Sequence, residues 1–243
     1  MVYLLHGWGM HSRLWGRLPE RLNADGCRAR LIDLPGHGGT PSLPQMNLPI
    51  LVNTLADQVT EPGYLIGWSL GGLAALAIAD TYPERVLGLT LTGTSPCFVQ
   101  RPDWPYGMDT NTFNDFVTRT RSDPAGVLSG FLGLQAQGST DARRTLREMR
   151  ARLAEAPVAD RAALLDGLEI LEDGDLRTRL GRIGHSTVII HGDRDGLVPL
   201  LAAEQLAAAL PSACLTPIEG AGHAPFLSHP SKFYRALRED ADD

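Results

Sequence analysis

The amino-acid sequence predicts an α/β domain in which a mostly parallel sheet is flanked by helices and carries a helical insertion. Short apolar runs alternate with segments of helical periodicity, which is the pattern of βαβ units and a parallel sheet. The alternation stops over residues 98–182, where the periodicity stays helical. The chain has 243 residues, of which 43% are hydrophobic, and this suits one domain with a sizeable core.

The strands are predicted at short apolar or alternating runs. VYLL opens the series as a buried run, and CRARLID alternates in the manner of a strand. Helices are predicted between these runs because apolar residues recur at helical spacing, as Leu14, Leu18 and Leu22 do. The predicted strands cover residues 2–5, 27–33, 64–67, 86–93, 186–192 and 213–220, and the predicted helices cover residues 13–22, 48–59, 69–80, 200–209 and 230–238.

The insertion divides the predicted domain in sequence. Residues 1–97 and 183–243 are predicted to form the core, and residues 98–182 are predicted to form a helical cap over one edge of the sheet. This middle segment contains no convincing strand and is dense in arginine and acidic residues. We therefore expect one core built from two stretches of chain, with a lid inserted between them.

Composition and charge argue against several classes of function. The formal net charge of −6 is unlike that of a general nucleic-acid binder. Three widely spaced cysteines without a CxxC motif fit a reducing compartment. The start MVYLLHGWGM has no basic region of the kind that opens a signal peptide, and no window approaches the roughly 20 apolar residues that span a bilayer. We expect a cytoplasmic monomer that binds neither nucleic acid nor membrane.

A serine stands between a predicted strand and a predicted helix in the stretch YLIGWSLGGLAALAIA. Gly67-Trp68-Ser69-Leu70-Gly71 matches G-x-S-x-G, which makes a tight strand-to-helix turn. We expect a strained backbone at the serine, and glycine on either side because side chains there would collide with the neighbouring strand or helix. The turn presents Oγ at the carboxyl end of the sheet, where open α/β sheets bind ligands. Ser69 is therefore the candidate nucleophile; an ordinary turn with Ser69 as helix cap is the alternative.

A serine hydroxyl needs a base, and this type of turn predicts the chain order nucleophile, acid, histidine. GDRDGLVP follows one late predicted strand, and GAGHAPFLSHP follows the last one. Asp193 and Asp195 compete as the acid. Asp195 is preferred because the LVP after it anchors the loop to the next helix, whereas Asp193 is expected to be a turn residue that bonds its own backbone. His223 and His229 compete as the base. His223 lies in a loop of small residues that can present an imidazole, whereas His229 precedes a proline and is expected to cap the last helix. Asp195 would hold His223 in the tautomer whose unprotonated nitrogen faces Ser69.

Acyl transfer also requires donors for an oxyanion. One is expected to be the backbone N–H of Leu70, and the other the N–H of Trp8 in the loop HGWGM after the first strand. Trp8 and Trp68 flank the expected reacting centre, so both are candidates to line an acyl pocket; simple core packing is the alternative. His6 and His37 are expected to be structural residues that bond loop backbone.

No sequence pattern supports metal or nucleotide chemistry. None of the seven histidines belongs to an HExxH motif, and no pair at i, i+4 shares a helix. GWSLGG is not GxGxxG, and the phosphate-binding pattern GxxxxGK[ST] is absent from the sequence. We expect no metal and no cofactor.

Several motifs spread along nearly the whole chain carry a family resemblance. They are LLHGWGM, DLPGHG, GWSLGGL, SPCF followed by DWP, FLGLQ, LEIL followed by DLR, DGLVP and HAPFLSHP. With them the chain resembles the α/β-hydrolase superfamily. The combination of GWSLGG, SPCF with DWP, LEIL with DLR, and HAPFLSHP is more specific, and it is similar to the family of pimeloyl-[acyl-carrier protein] methyl ester esterases of biotin synthesis.

The resemblance implies the same site as the residues themselves. Ser69 would be the nucleophile, Asp195 the orienting acid and His223 the base, with the amides of Trp8 and Leu70 as the oxyanion donors. An acyl-carrier protein that bears the acyl substrate is the implied partner.

The family pattern also bears on the insertion and on the start of the sheet. The helical segment 98–182 would be the family's cap, and Phe131 in FLGLQ would lie near the acyl chain. Family members usually carry a short leading strand before LLHGWG, whereas in this sequence only Met1, Val2 and Tyr3 precede that segment.

The segment DARRTLREMRARLAE locally reverses the acidic character of the chain. RRTLREMRAR holds five arginines against one glutamate, so five minus one gives +4, whereas the whole chain is −6. Arg143, Arg147 and Arg150 recur on one helical face. A solvated face with pairs such as Arg144 with Glu148 is one interpretation. Because an acyl-carrier protein is strongly acidic and carries a phosphopantetheine arm, the resemblance makes Arg143 and Arg147 candidate contacts to it.

The residues predict a serine hydrolase that works through an acyl-Ser69 intermediate, and the resemblance implies a carboxylesterase whose substrate is the methyl ester of a carrier-bound pimeloyl group. The alternatives are a broad-specificity short-chain carboxylesterase, a C–C bond hydrolase with the same three residues, and a non-catalytic receptor of the same fold. The complete set of serine, aspartate and histidine argues against the receptor.

Overall fold

The strands form one parallel sheet. The structure, a computed structural model, describes residues 1–239, and residues 240–243 of the predicted core range lie outside the described residues. The strands are β1 (Val2–Leu5), β2 (Ala29–Ile32), β3 (Gly63–Trp68), β4 (Val86–Thr92), β5 (Thr187–Gly192) and β6 (Ala213–Ile218). Their order across the sheet is β2-β1-β3-β4-β5-β6, and every neighbouring pair is parallel. The predicted α/β class and all the predicted strands are confirmed.

Helices connect and cover these strands. Those predicted over residues 48–59, 69–80, 200–209 and 230–238 are confirmed, with small shifts at their ends. None of the helices within residues 1–239 is both long enough and apolar enough to cross a membrane. The helices are α1 (Leu18–Ala24), α2 (Leu48–Ala56), α3 (Leu70–Thr81), α4 (Thr110–Ser122), α5 (Pro124–Ala136), α6 (Ala142–Leu153), α7 (Arg161–Asp173), α8 (Leu200–Ala209), α9 (Pro225–Ser228) and α10 (Pro230–Glu239).

The single helix predicted over residues 13–22 is wrong, because two shorter helices stand there. A 3-10 turn covers Ser12–Trp15, and α1 begins only at Leu18. Gly16 between them has a φ of 64°, which favours glycine, and it breaks the helical path. Pro19 stands in the first turn of α1, where its missing N–H would have no partner within the helix. The three leucines of the predicted face are nonetheless all buried.

The core lies on the central strands and on the helix that follows Ser69. Every residue of β1 and of β5 is buried, as expected for parallel strands that are covered on both faces. Ten of the twelve residues of α3 are buried, so this helix is apolar all round rather than amphipathic. The edge strand β2 is more exposed.

Four α-helices, α4 to α7, and a 3-10 helix (Arg177–Arg182) lie between β4 and β5 in the chain. The described part of residues 98–182 contains only isolated bridges and no named strand, as its periodicity predicts. The helical character of the segment is thus confirmed, and its action as a cap stays a prediction.

Backbone and charged contacts join the two ends of this helical segment. Cys97 and Asp175 form an isolated antiparallel bridge. Arg177 pairs with Asp175 at 2.7 Å and with Asp103 at 2.9 Å, so it links the outgoing and returning chains. We call residues 93–97 and 175–182 the stem of the segment.

The returning half of the stem is also tied to α3. Asp80 stands near the end of α3, and its side chain is only 3% exposed. It pairs with Arg179 and, at 2.9 Å, with Arg182. The stem is therefore fastened to the same helix that begins beside Ser69.

Candidate active site

Ser69 lies at a strained bend between β3 and α3. Its φ of 55° and ψ of −119° make it the one non-glycine residue with positive φ among residues 1–239. A Cβ added to Gly67 would lie 2.6 Å from Cα of Gly72, and one added to Gly71 would overlap the carbonyl oxygen of Leu5. The predicted strain at the serine and the predicted need for both glycines are confirmed.

The close approach at Gly71 makes a stability prediction. We expect Gly71→Ala to lower the free energy of unfolding by about 2–3 kcal/mol or more, because the new Cβ meets strand backbone rather than a flexible side chain. The matched control is Gly130→Ala in α5, where nothing lies within 4 Å of the added Cβ. Removing this helical glycine should stabilise the chain by about 0.5–1 kcal/mol. Urea unfolding measures both, and similar midpoints for the two variants would contradict the prediction.

Asp195 and His223 are in direct contact. The loops after β5 and β6 bring them together at the carboxyl ends of the strands, and both side chains are buried. Oδ2 of Asp195 accepts a hydrogen bond from Nδ1 of His223 at 2.8 Å. Its other oxygen, Oδ1, accepts the backbone N–H groups of Leu197 and Val198 at 2.9 and 3.0 Å, which fixes the carboxylate.

This contact sets the charge and the tautomer of the pair. Because a carboxylate can only accept, the ring proton is on Nδ1, and Nε2 is the basic nitrogen. Burial raises the pKa of Asp195, but the facing charge and hydrogen bond of His223, with smaller contributions from neighbouring groups, leave that pKa below its usual value. His191 lies 3.4 Å from the same carboxylate oxygen, and burial lowers the pKa of His191. The carboxylate is therefore ionised beside a neutral His191.

Ser69 and His223 line the same cavity, but their reacting atoms are not hydrogen-bonded to each other. Nε2 of His223 is buried and has no partner within residues 1–239. Such contacts are often loose in a free enzyme and tighten when substrate binds. Gly93 confines the ring from the side of β4, since a Cβ there would lie 3.0 Å from Cε1. The structure thus brings the three predicted residues to one rim of the sheet.

The loop after β1 approaches Ser69 closely. A Cβ on Gly7 would lie 3.0 Å from Cβ of Ser69, and Trp8 follows directly. Leu70 begins α3 on the other side of the serine. Among the turns, loops and caps of residues 1–239, the N–H groups of Trp8 and Leu70 donate to no backbone acceptor. Both remain available for an oxyanion, and that role stays a prediction.

A cavity of about 300 Å³ opens over Ser69, at the lower end of the range for small-molecule pockets. Its walls are mainly apolar. The ring of Trp8 stands edge-to-face against Phe116 and Phe131, with centroids 5.3 and 5.1 Å away. The indole N–H of Trp8 donates to the carbonyl of Leu164 at 2.8 Å and holds the ring in place. Two predicted pocket residues, Trp8 and Phe131, therefore lie on this wall.

The prediction that Trp68 lines the cavity is wrong. Its side chain is fully buried and lies outside the cavity wall, where it packs on Trp15 and Phe226 with centroids 6.3 and 5.0 Å away. Successive side chains of a strand point to opposite faces of a sheet, and Trp68 falls on the face that these two rings cover. Its N–H donates to the carbonyl of His223 at 3.0 Å. Trp68 thus supports the predicted base from behind.

The competing aspartate and histidine make other contacts. Oδ1 of Asp193 accepts the N–H of Gly220 at 2.7 Å, so it ties two loops together instead of bonding its own turn as predicted. His229 stands directly before α10, as expected, and its ring bonds Ser228 at 2.9 Å and Thr140 at 3.2 Å. Neither residue lines the cavity.

His6 and His37 bond loop backbone, as predicted. Nδ1 of His6 donates to the carbonyl of Gly7 at 2.9 Å, and its Nε2 accepts the N–H of Leu34 at 3.0 Å. Nδ1 of His37 donates to the carbonyl of Pro35 at 2.9 Å. Burial lowers the pKa of both rings, so they are neutral spacers of the loop that approaches the serine.

Helix α4 supplies a cavity wall that was not predicted from the sequence. Thr112, Asp115, Phe116 and Arg119 line the cavity at positions i, i+3, i+4 and i+7 of one helical face. The spacing of these four residues in the sequence indicates that they share one helical face. It does not show whether that face points toward the cavity, because the orientation depends on how α4 packs against the core.

The arginine-rich segment forms α6. Arg143 and Arg147 are exposed, make no ion pair within residues 1–239 and lie off the cavity wall. The predicted pair of Arg144 with Glu148 is wrong. Arg144 pairs with Asp141, and Glu148 pairs at 3.0 Å with the arginine one turn further along. The two candidate carrier contacts therefore stand on the surface without a partner from the described chain.

The arrangement can perform nucleophilic acyl transfer. It combines a serine at a strained bend, a histidine whose basic nitrogen has no partner in residues 1–239, and a buried carboxylate behind that histidine. Over the same residues, no group of three or more His, Cys, Asp and Glu side chains could hold a metal ion. The fold and the site together define a candidate serine hydrolase.

Comparison with known proteins identifies the family. The model described as "Alpha/beta hydrolase family" matches residues 2–236. An esterase from Exiguobacterium antarcticum superposes with a TM-score of 0.90 at 25% identity, covering 100% of this chain and 91% of its own. The chain belongs to the alpha/beta hydrolase family.

The curated relatives share a narrower name. The pimeloyl-[acyl-carrier protein] methyl ester esterase of Aromatoleum aromaticum is 44% identical over 234 residues, which are 94% of this chain and 93% of the relative. The esterase of the same name from Stenotrophomonas maltophilia is 40% identical over 238 residues, which are 98% of this chain and 91% of the relative. The resemblance inferred from the sequence motifs is confirmed.

Proposed function

We propose that the chain is a serine carboxylesterase that hydrolyses the methyl ester of pimeloyl-[acyl-carrier protein] in biotin biosynthesis. The observation that carries the reaction type is the buried pair of Asp195 and His223 on the cavity that Ser69 lines. The substrate is supported by relatives of that name that match nearly the full chain.

In the proposed reaction, Oγ of Ser69 attacks the ester carbonyl carbon while Nε2 of His223 takes the hydroxyl proton. Asp195 stabilises the resulting imidazolium, and the N–H groups of Trp8 and Leu70 bind the oxyanion. The proton then passes to the leaving oxygen, so that methanol departs and an acyl-Ser69 ester remains. Water, deprotonated by His223, attacks this ester, and the products are the free carboxylate and the original serine.

The cavity and the helical segment complete the proposal. Apolar walls that include Phe131 suit the hydrocarbon part of the acyl group. Helices α4 to α7 act as the cap over it. We also propose that the protein works as a cytoplasmic monomer. Cys27, Cys97 and Cys214 form no disulfide within the described residues, which fits a reducing compartment.

The direct test is demethylation of the proposed substrate. The purified chain is incubated with pimeloyl-[acyl-carrier protein] methyl ester, and mass spectrometry of the carrier protein follows loss of the methyl group. A biotin auxotroph that lacks this esterase should grow when it expresses the chain, but not when it expresses the Ser69→Ala variant. If short esters are hydrolysed while the carrier-bound ester and the auxotroph show no response, the protein is a broad-specificity esterase instead.

The exposed arginines of α6 give a prediction about the carrier protein. We expect Arg143→Glu with Arg147→Glu to lower kcat/KM for the carrier-bound ester by about tenfold or more at low salt, because two attractive charges become repulsive. The effect should shrink as salt rises. Dimethyl pimelate, which has no carrier, should be hydrolysed as before. Arg235→Glu, at an exposed arginine of α10, is the control for a charge reversal outside α6. Equal losses on both substrates would contradict a docking role.

A further inference from the structure

Arg119 is a cation on the wall of the cavity that Ser69 lines. It stands in the last turn of α4 and is exposed. Its guanidinium makes no hydrogen bond and no ion pair within residues 1–239. Asp115 lies four positions earlier on the same wall, and even this carboxylate forms no ion pair with it. Nothing in the described fold accounts for the charge.

Other arginines of the helical segment are used by the fold. Arg161 donates to the carbonyl of Arg121 at 2.8 Å, and Arg177 of the stem pairs with Asp103 and Asp175. Arg143 and Arg147 resemble Arg119 in having no ion pair within residues 1–239, but they lie away from the cavity. Arg119 therefore combines an unused guanidinium with a place on the wall of the candidate site.

The polar side chains of the cavity fall into two groups. Ser69 and His223 are buried and form the base. Thr112, Asp115 and Arg119 are exposed, lie on one face of α4 and form the mouth. The remaining walls are apolar or aromatic. A ligand whose ester reaches the base must therefore cross an apolar zone before it meets the polar side chains at the mouth.

An aromatic layer lies on the same wall, about one helical turn from Arg119. The ring of Phe116 lies 5.3 Å from that of Trp8 and 5.5 Å from that of Phe131. Arg119 stands three residues beyond Phe116, which is about 4.5 Å further along the helix axis. The long side chain of Arg119 can extend its N–H donors further, toward the part of a ligand that lies beyond the aromatic layer.

We propose that Arg119 is a specificity residue that binds an oxygen acceptor, a carbonyl or a carboxylate, at the far end of the acyl group. This rests on the proposed esterase function and narrows its substrate class to esters whose remote end is oxygenated. A guanidinium presents five donors in a planar fork, which fits a carboxylate with two bonds and a carbonyl with one. A plain alkyl end has no acceptor oxygen for the guanidinium to bind. In a carrier-bound substrate the acceptor is the thioester carbonyl; in a small half-ester it is the carboxylate.

The test compares three methyl esters of one chain length. Dimethyl pimelate carries a remote carbonyl, monomethyl pimelate a remote carboxylate, and methyl heptanoate no remote oxygen. We expect Arg119→Ala to lower kcat/KM for the oxygenated esters by about tenfold relative to kcat/KM for methyl heptanoate. The change should lie mainly in KM. The relative losses of the two oxygenated esters identify the acceptor. Arg119→Lys should restore part of the ratio, because it keeps the charge but not the fork.

The matched control is Arg121→Ala. This arginine is exposed on the same helix and lies off the cavity wall, so the ratio should stay as in the parent chain. The assignment is overturned if the kcat/KM ratios of Arg119→Ala equal those of the parent. It is also overturned if Arg119→Ala loses activity equally on all three esters. Either result leaves the esterase proposal standing as long as the parent chain cleaves the esters.

A binding measurement separates this inference from the proposed function. If the parent chain cleaves neither these three esters nor the carrier-bound ester, the proposed function fails. The role of Arg119 is then decided by calorimetric Kd values in the Ser69→Ala background. Arg119→Ala should weaken binding of dimethyl pimelate or monomethyl pimelate relative to methyl heptanoate. Unchanged relative affinities would overturn it.

Discussion

Ser69→Ala is expected to lower kcat for ester hydrolysis by about 10⁴-fold or more, because Oγ of Ser69 is the atom that becomes acylated in the proposed reaction. Oγ of Ser69 makes no hydrogen bond to residues 1–239, so its removal leaves the contacts of the fold intact. Alanine and serine are equally strained in the backbone conformation that residue 69 adopts. The loss should therefore appear in the chemical step and not in folding.

Ser69→Gly is the informative companion to this variant. Glycine adopts the φ of 55° without strain, so the variant should be as inactive as Ser69→Ala but more stable by about 1 kcal/mol. Initial rates with dimethyl pimelate and urea unfolding measure the two effects. A fluorophosphonate probe should label the parent chain and neither variant. Activity within tenfold of the parent in either variant would contradict the role of the serine.

Asp195→Asn is expected to lower kcat by about 10³- to 10⁴-fold at neutral pH. The asparagine N–H₂ group can occupy the place of Oδ2, which now accepts Nδ1–H of His223. Donation from that amide would move the ring proton to Nε2, and the imidazole could then no longer take the proton of Ser69. The variant also loses the negative charge that stabilises the imidazolium.

Asp193→Asn is the matched control for this change. Asp193 is the neighbouring aspartate of the same loop, and it holds Gly220 through one oxygen that an asparagine retains. We expect kcat within about threefold of the parent, since the lost charge is not part of the reacting group. Steady-state rates with dimethyl pimelate at pH 7.5 compare the two variants. Similar losses in both would show that the loop, rather than the Asp195 carboxylate, matters.

Much of the fold and the core of the candidate site could be predicted from sequence. Each strand is a short apolar or alternating run, and parallel strands bring their carboxyl ends to one edge. Ser69, Asp195 and His223 each follow such a run, so their convergence depends on topology alone. The glycines beside Ser69 could be predicted for the same reason, because a tight turn leaves no room for a Cβ there.

The sequence could not predict features that depend on packing. Trp68 is next to Ser69 in the chain, but its side chain lies on the other face, and only the position of Trp15 and Phe226 shows what covers that face. Arg119 belongs to a face of α4 whose orientation is set by tertiary contacts. The ion partner of Arg144 was predicted wrongly because local spacing allowed two partners, and the side chain took Asp141.

The stem has a consequence for how a bulky substrate reaches the serine. Asp80 and its two arginines fasten the returning chain to α3, and Arg177 joins the outgoing chain to it. The returning end of the helical segment is thus tied directly to α3, which begins beside the nucleophile, and the outgoing end is tied to α3 through Arg177. If α4 to α7 act as a cap, we therefore expect a long acyl chain to reach Ser69 through displacement of the outer helices α4 to α6, with the stem held in place.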